Sequence, residues 1–510
     1  MMKLAIRKIF APAGWLLMAS SMAAIKTNHY MKSMKITGLT TLLGLWIAQS
    51  LIAQVGRPFI HDPSTIAECD GKYYTFGTGG GGLISEDGWT WYGGGVRPGG
   101  GAAPDVIKIG NRYLVVYGAT GGAGNHKGAI LTMWNKTLDP KSPDFKYSEP
   151  IVVATSDGYE ENDAIDPGVM IDPTTGRLWL TYGTYFGFTR LIELDPKTGK
   201  LKEGNKPVDV AIVCEASTLV YRDSWYYLLA THGSCCDGAN STYNVVVGRS
   251  KKITGPYLDN VGRSMLEGGG KMVVATRGGL IGPGHFGHII LEKGVEKMSI
   301  HYEADLEQSG RSVLGILPVV WKDGWPVAGE KFKEGTYEIE SVRRGYGLEL
   351  AVDFTRMAGG PRGFGQANNE PIKPVPAQQL ADVIKNWPTG NINLRIGDYM
   401  SRPHQKWTIT DAPDTTGYLG GPYYKIVLAG TDRALAATAD AELITVPAFT
   451  GTPEQLWRID QLTDGTYRIM PKEIPNSGKK LALVSSGDST PTLAEFNFNS
   501  DNSKWNFRAH

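Results

Sequence analysis

Cysteine is scarce in this chain: Cys69, Cys214, Cys235 and Cys236 are the four in 510 residues. A disulfide-dense scaffold is thereby excluded, since a chain of this size does not need one. The four also lack the paired C-x2-C or Cys/His spacing of a structural zinc site. The adjacent Cys235-Cys236 pair could join only in a strained vicinal bond, so buried thiols are the expectation. Charge of one sign is missing as well. Lys and Arg number 52 against 51 Asp and Glu, a net charge of +1. That leaves no electrostatic footprint for nucleic acid or an anionic membrane. No apolar run reaches the roughly 20 residues of a membrane span. Sustained helical periodicity is absent from residues 56–329.

What is present is glycine, 65 residues, and aromatics at 10%. Glycine-rich turns between aromatic-bearing strands are what an all-β protein needs. Length argues for two domains, because a single core stops growing well short of this size. Two apolar stretches near the N-terminus, 9–24 and 37–53, each follow lysines or arginines. The second has the form of a secretory signal: Met34-Lys35, an apolar core at 42–47, and small residues around Ala48-Gln49-Ser50. The first is read as an extension ahead of the true start. Residues 1–55 are therefore assigned to targeting, and the mature chain is expected to be secreted, periplasmic or at the cell surface.

One pattern recurs through residues 56–330: a Gly or Asp turn, then a short strand alternating aromatic and aliphatic residues. It appears in Asp70-Gly71-Lys72-Tyr73-Tyr74-Thr75-Phe76 and in Gly110-Asn111-Arg112-Tyr113-Leu114-Val115-Val116-Tyr117. It returns in Gly176-Arg177-Leu178-Trp179-Leu180-Thr181-Tyr182 and in Asp223-Ser224-Trp225-Tyr226-Tyr227-Leu228-Leu229. A weaker fifth copy is Glu296-Lys297-Met298-Ser299-Ile300-His301-Tyr302. Copies a blade's length apart predict a five-bladed β-propeller.

Residues 335–510 carry a different, threefold repeat. Its units open on Gly335-Thr336-Tyr337, Tyr423-Tyr424-Lys425 and Gly465-Thr466-Tyr467, and close on Gln405-Lys406-Trp407, Gln455-Leu456-Trp457 and Ser503-Lys504-Trp505. Three such units predict a β-trefoil with the tryptophans in its core. The Gln-x-Trp closings resemble the ricin-type lectin domain. That resemblance implies a sugar-binding acid in each unit's middle stretch, where this chain has Glu349, Ala436 and Ala482. A carbohydrate-binding role and a purely structural one both stay open. A Pro-, Gly- and Asn-rich insertion over about 353–400 is predicted to be a loop.

Three acids stand immediately before repeat strands in apolar or proline-bounded settings: His61-Asp62-Pro63, Ile165-Asp166-Pro167 and Cys214-Glu215-Ala216-Ser217. An Asp-Pro dipeptide alone is usually a turn, and Asp172-Pro173 and Asp195-Pro196 read that way. The ordered trio, in register with three blades, is the informative feature. A carboxyl at a blade's inner edge is partly desolvated, which raises a general acid toward working pH.

With these acids run further stretches: Ala103-Pro104-Asp105-Val106, Asn162-Asp163-Ala164-Ile165-Asp166-Pro167-Gly168, Gly233-Ser234-Cys235-Cys236-Asp237-Gly238 with Ser241-Thr242-Tyr243, and Gly282-Pro283-Gly284-His285. In that order they resemble glycoside hydrolase family 43, and within it the arabinan-degrading members. The resemblance implies inversion, which needs two carboxyl groups with a water between them. It implies Asp62 as general base, Glu215 as general acid, and Asp166 between them, raising and orienting Glu215. It places His61, Asp105 and Ser241 against substrate, Asp105 at the pocket wall. It also implies one calcium ion on the propeller axis, held by His285 and waters, and no organic cofactor. The expected partner is plant cell-wall polysaccharide, arabinan or another arabinose-containing glycan, bound by a monomer and cut endo or exo at α-L-arabinofuranosyl linkages; another family-43 activity, such as that of an α-L-arabinofuranosidase or β-xylosidase, and carbohydrate binding without cleavage stay open. Ala103 stands where the family usually has Trp, Ser217 where it has Pro, and Tyr185-Phe186-Gly187 where Phe-Trp-Gly is common. These departures fall where subsites for the arabinan chain would lie.

Overall fold

The computed structural model describes residues 54–97, 101–119, 127–157, 163–306, 310–343, 345–352, 384–413, 416–486 and 490–509. The targeting assignment, up to residue 53, lies outside them, as do Asn162 and residues 353–383 of the expected insertion.

Five sheets follow one another along the chain, antiparallel apart from Val55–Gly56, which adds to the first as a parallel edge strand. Their first strands are Ala67–Cys69, Ala102–Ile109, Gly168–Ile171, Glu215–Arg222 and Gly284–Glu292. Each first strand pairs with a second: Lys72–Phe76, Arg112–Ala119, Leu178–Tyr182, Trp225–His232 and Val295–Asp305. The five sequence repeats are these second strands. We number the blades I to V.

The alternation in the second strands reflects packing on both faces. In blade II, Tyr113 and Val115 pack toward blade I, while Leu114 and Val116 pack toward blade III. In blade IV, Tyr226 and Leu228 face blade III, and Tyr227 and Leu229 face blade V. Period-two side chains serve two separate cores, so both phases must be apolar and the strand is buried throughout. Burying one such leucine contributes about 1.5–3 kcal/mol. The ring closes without a covalent link. Ile60 N–H donates to Ser312 O at 3.2 Å, and Leu314 N–H donates to Pro58 O at 2.8 Å, tying the segment before blade I to the third strand of blade V.

The C-terminal domain is a trefoil whose units repeat one interaction. The indole N–H of Trp407 donates to Leu348 O at 3.0 Å, that of Trp457 to Leu435 O at 3.1 Å, and that of Trp505 to Leu483 O at 2.8 Å. All three rings are fully buried in one core. The insertion is shorter than expected. Ile392–Asp398 is a strand pairing antiparallel with Tyr346–Leu350, because Ile392, Leu394 and Ile396 alternate into the core.

The trefoil rests on blades I and V. Gly417 N–H donates to Asp87 Oδ2 at 2.8 Å and Gly420 N–H to Gly88 O at 3.0 Å, both in blade I. On blade V, Trp321 N–H donates to Thr463 O at 2.7 Å, and Thr463 N–H to Gly294 O at 2.9 Å. Between them Lys297 is buried with Nζ 3.3 Å from Asp460 Oδ1, and Asp460 also takes Arg458 and Arg468. Those cations hold the Asp460 carboxyl far below its ordinary range despite burial. Among the described residues no helix is long and apolar enough to cross a membrane.

Candidate active site

The inner strands all begin with a backbone kink. One residue at each axial start has positive φ: Asp62 (52°), Ala103 (46°), Asp166 (54°), Ala216 (47°) and His285 (58°). In blades II, IV and V the kink is a bulge, with one extra residue on the inner strand between Ala102 and Asp105, Glu215 and Thr218, and Gly284 and Gly287. Such bulges turn side chains out of the sheet, here around the axis.

In blades III, IV and V a polar residue near the end of the second strand supports the kink of the next blade. Thr181 Oγ1–H donates to Ser217 O at 2.8 Å. His285 N–H donates to Thr231 Oγ1 at 2.9 Å, and Asp62 N–H donates to His301 Nδ1 at 2.9 Å. Thr181, Thr231 and His301 occupy equivalent register positions, opposite Gly168, Glu215 and Gly284. Blade II has Gly118 there, and a Cβ would meet Ile165 at 3.1 Å.

Asp62 sits among imidazoles. Its Oδ1 is 3.4 Å from His285 Nδ1 and 3.7 Å from His301 Nδ1, and its Oδ2 is 3.5 Å from His61 Nε2. Thr78 Oγ1–H donates to Asp62 Oδ2 at 2.5 Å and accepts Ala103 N–H at 2.9 Å. Burial would raise this carboxyl, but the hydrogen bond and charge of His285, then His61 and His301, hold it far below the usual range. His301 is fully enclosed, and burial drives it down to about 3. It is therefore neutral, with Nδ1 free to accept the Asp62 N–H.

Glu215, 6% exposed, is displaced the other way. Burial first, then the charges of Asp62 and Asp163, push it up to about 8. Tyr243 O–H donates to its Oε1. Asp166 accepts Ala216 N–H, and burial first, then the charges of Glu215 and Asp62, raise it well above its ordinary value. Asp166 and Glu215 each raise the other by like charge, and burial, Asp62 and Asp163 add to the displacement of Glu215.

The other expected residues divide. His61 stacks on His301 with ring centres 4.6 Å apart and meets Ser312 Oγ at 3.2 Å. Asp105, expected at the pocket wall, is 5% exposed, and its two oxygens accept Thr65 N–H and Val169 N–H at 3.0 Å each. It ties blade I to blade III, with both oxygens engaged. Ser241 is also buried, its hydroxyl donating to Ser234 O at 3.0 Å. Cys235 and Cys236 form a disulfide, in place of the expected thiols. Left-handed backbone at Cys236 and its N–H bond to Glu303 Oε1 at 2.8 Å hold the turn. Cys69 and Cys214 are buried thiols.

Sequence reasoning did not single out Thr78, Asp163, Tyr243 or His301. Aligning the five copies at the Thr181–Thr231–His301 column would have exposed His301. Tyr185 and Phe186, noted only as departures, are an exposed pair with ring centres 4.4 Å apart. Burial raises the Tyr185 phenol, and Glu215, Asp163 and Asp166 add to that, which puts the pair on the Glu215 side.

His285 fits a cation in one respect. Among the described residues no protein group bonds its Nε2, while Nδ1 faces Asp62. A hard cation takes about six to eight oxygens, so water would have to supply nearly all of them. The trefoil acid is less available. Glu349 is buried, receiving His404 Nε2 at 3.0 Å, Gln405 Nε2 at 2.8 Å and Arg395 Nε at 2.5 Å. Its oxygens are engaged within the protein, and Ala436 and Ala482 are buried too.

Comparison with known proteins adds independent findings. Residues 78–326 match the family model described as glycosyl hydrolases family 43, and residues 397–507 that of ricin-type beta-trefoil lectin domain-like proteins. The chain is 31% identical over 247 residues to the extracellular exo-alpha-(1->5)-L-arabinofuranosidase ArbA of Cellvibrio japonicus, covering 45% of this chain and 70% of that one. It is 33% identical over 230 residues to the extracellular endo-alpha-(1->5)-L-arabinanase 1 of Bacillus subtilis, covering 44% and 67%. The crystal structure of an exo-1,5-alpha-L-arabinanase from a bovine ruminal metagenomic library matches with a TM-score of 0.50 at 33% identity, covering 54% of this chain and 98% of that one. The family match begins after Asp62, so the fold is what carries that residue to the axis.

Proposed function

The chain belongs to glycoside hydrolase family 43, and from that premise we propose that it cuts α-L-arabinofuranosyl linkages of arabinan with inversion. The observation that carries this reading is the opposite displacement of two axial carboxyls, Asp62 downward and Glu215 up to about 8. At neutral pH one is ionised and the other holds its proton, as a base and an acid must.

In this reading Asp62 takes a proton from water as the water attacks the anomeric carbon. Glu215 gives its proton to the glycosidic oxygen as the carbon–oxygen bond breaks. Thr78 and His301 fix Asp62, and Tyr243 fixes Glu215. Asp166 is a positioning residue: its charge interacts with both Asp62 and Glu215, and it raises Glu215 toward the protonated form an acid needs. Tyr185 and Phe186, beside Glu215, offer a stacking surface to the departing sugar. A calcium ion would be held by His285 Nε2 and waters, and would supply positive charge near the axis.

The assay is hydrolysis of linear arabinan by the intact chain, with the first-formed product followed by proton NMR. Inversion of the anomeric configuration supports the assignment, and retention overturns it. An Asp62→Ala variant with full activity removes the base. Arabinosides with endo and exo product ladders separate the two modes named in the relatives. Export, following the expected targeting segment, is part of the same proposal and is read by locating the protein in culture fractions.

A further inference from the structure

An open cavity of about 550 Å3 lies between blades I and V and is lined in part by His61 and Thr78, which also contact the base. That volume is within the range of pockets that hold small molecules. Two guanidiniums line it, Arg57 and Arg311, and no carboxylate does. Neither arginine has an ion-pair partner among the described residues. Arg311 is set in place by Phe59, its Cζ 3.4 Å from the ring centre. Phe59 is in turn fixed by its bridge to Val313. The floor is glycine. A Cβ at Gly81 or Gly93 would meet nothing within 4 Å, and neither has left-handed backbone. The space is thus kept open by residue choice.

Position decides what could fill it. The leaving group departs on the face of Glu215, and water attacks from the opposite face. A cavity beside Asp62, built from blades I and V, is therefore on the glycone side. We propose that it receives the carboxylate of an acidic sugar, a uronosyl unit attached on the glycone side of the cleaved arabinoside. The guanidinium pair supplies the planar, charge-assisted donors a carboxylate takes best. An arabinan with neutral neighbours only would leave two unpaired cations facing the substrate. The orientation of this proposal rests on Asp62 as base, but the binding itself does not.

The test is equilibrium binding, so that it stands apart from hydrolysis. Digalacturonate and the uncharged digalactose, matched in size, are titrated into the intact chain and followed by ligand NMR. Digalacturonate should bind roughly tenfold tighter, the preference falling with salt. In the Arg57→Gln/Arg311→Gln double variant the preference should vanish while the neutral disaccharide is unaffected. Gly93→Phe should weaken both by filling the cavity. Thermal melting checks that each variant is folded. Equal binding of the two disaccharides, binding of neither, or an acidic preference that survives both arginine changes would overturn the proposal. Acidic preference without arabinoside cleavage would leave this site standing and remove the hydrolase assignment instead.

Discussion

The propeller and the trefoil are both repeats wound about an axis, and they use the axis in opposite ways. In the trefoil each unit sends a tryptophan inward, and each indole bonds a leucine carbonyl. The position and the side chain are both kept. In the propeller only the position is kept. Five left-handed kinks recur, but the residues in or beside them are Asp62, Ala103, Asp166, Glu215 with Ala216, and His285. The supports behind them change from threonine to histidine in the same register. A backbone device that does not depend on the side chain leaves the side chain available for chemistry. An axis filled by identical side chains has no such freedom, and is spent on stability.

The sharpest break of this comparison removes one axial group from each domain. Asp62→Ala should lower kcat on an arabinoside by roughly 10²–10⁴-fold, a far larger effect than its loss of stability, which follows from removing a carboxyl that folding holds low, by assay and calorimetry. Trp457→Ala should do the reverse: about 3–5 kcal/mol of stability lost in denaturant titration, with the folded fraction keeping its kcat. A catalytic collapse in the tryptophan variant would mean the domains are not so divided.

Acids sharpen the contrast further. Glu349 is buried but fully bonded, so Glu349→Ala should cost about 2 kcal/mol in denaturant titration. Glu215 is buried and raised to about 8, so the folded chain binds that proton more tightly than the unfolded one. Its contribution to stability is therefore lost as pH rises from the ordinary carboxyl range through 8. Glu215→Gln should stabilise the protein by about 1 kcal/mol near neutrality, the gain growing with pH, by calorimetry across that window. The activity of the unaltered chain should fall as pH passes about 8, where Glu215 gives up its proton, by pH–rate profile.

Much of this architecture is legible in the amino-acid order. Strands buried on both faces announce themselves by unbroken aromatic and aliphatic alternation, so the five repeats mark the second strands and hence the blades. Asp62, Asp166 and Glu215 stand out because proline or alanine context isolates them ahead of those strands. Partnership is not legible in the same way. His301 meets Asp62 across a separation of 239 residues, through ring closure, and no local pattern carries that. Asp105 misleads for a related reason: its motif is visible, but burial and two backbone donors come from other blades. The strand at Ile392–Asp398 is hidden by the insertion ahead of it, although its own alternation is regular.

The trefoil touches the propeller on blades I and V, the two that meet where the ring is closed by hydrogen bonds and apolar packing with no covalent link. A hoop fails at its join. Here a second body is riveted to both sides of that join, with the enclosed Lys297–Asp460 pair as one of the rivets. Opening the ring at that join therefore also breaks the contacts of the trefoil with both blades. The domain that keeps three tryptophans on its own axis works, for its neighbour, as a latch.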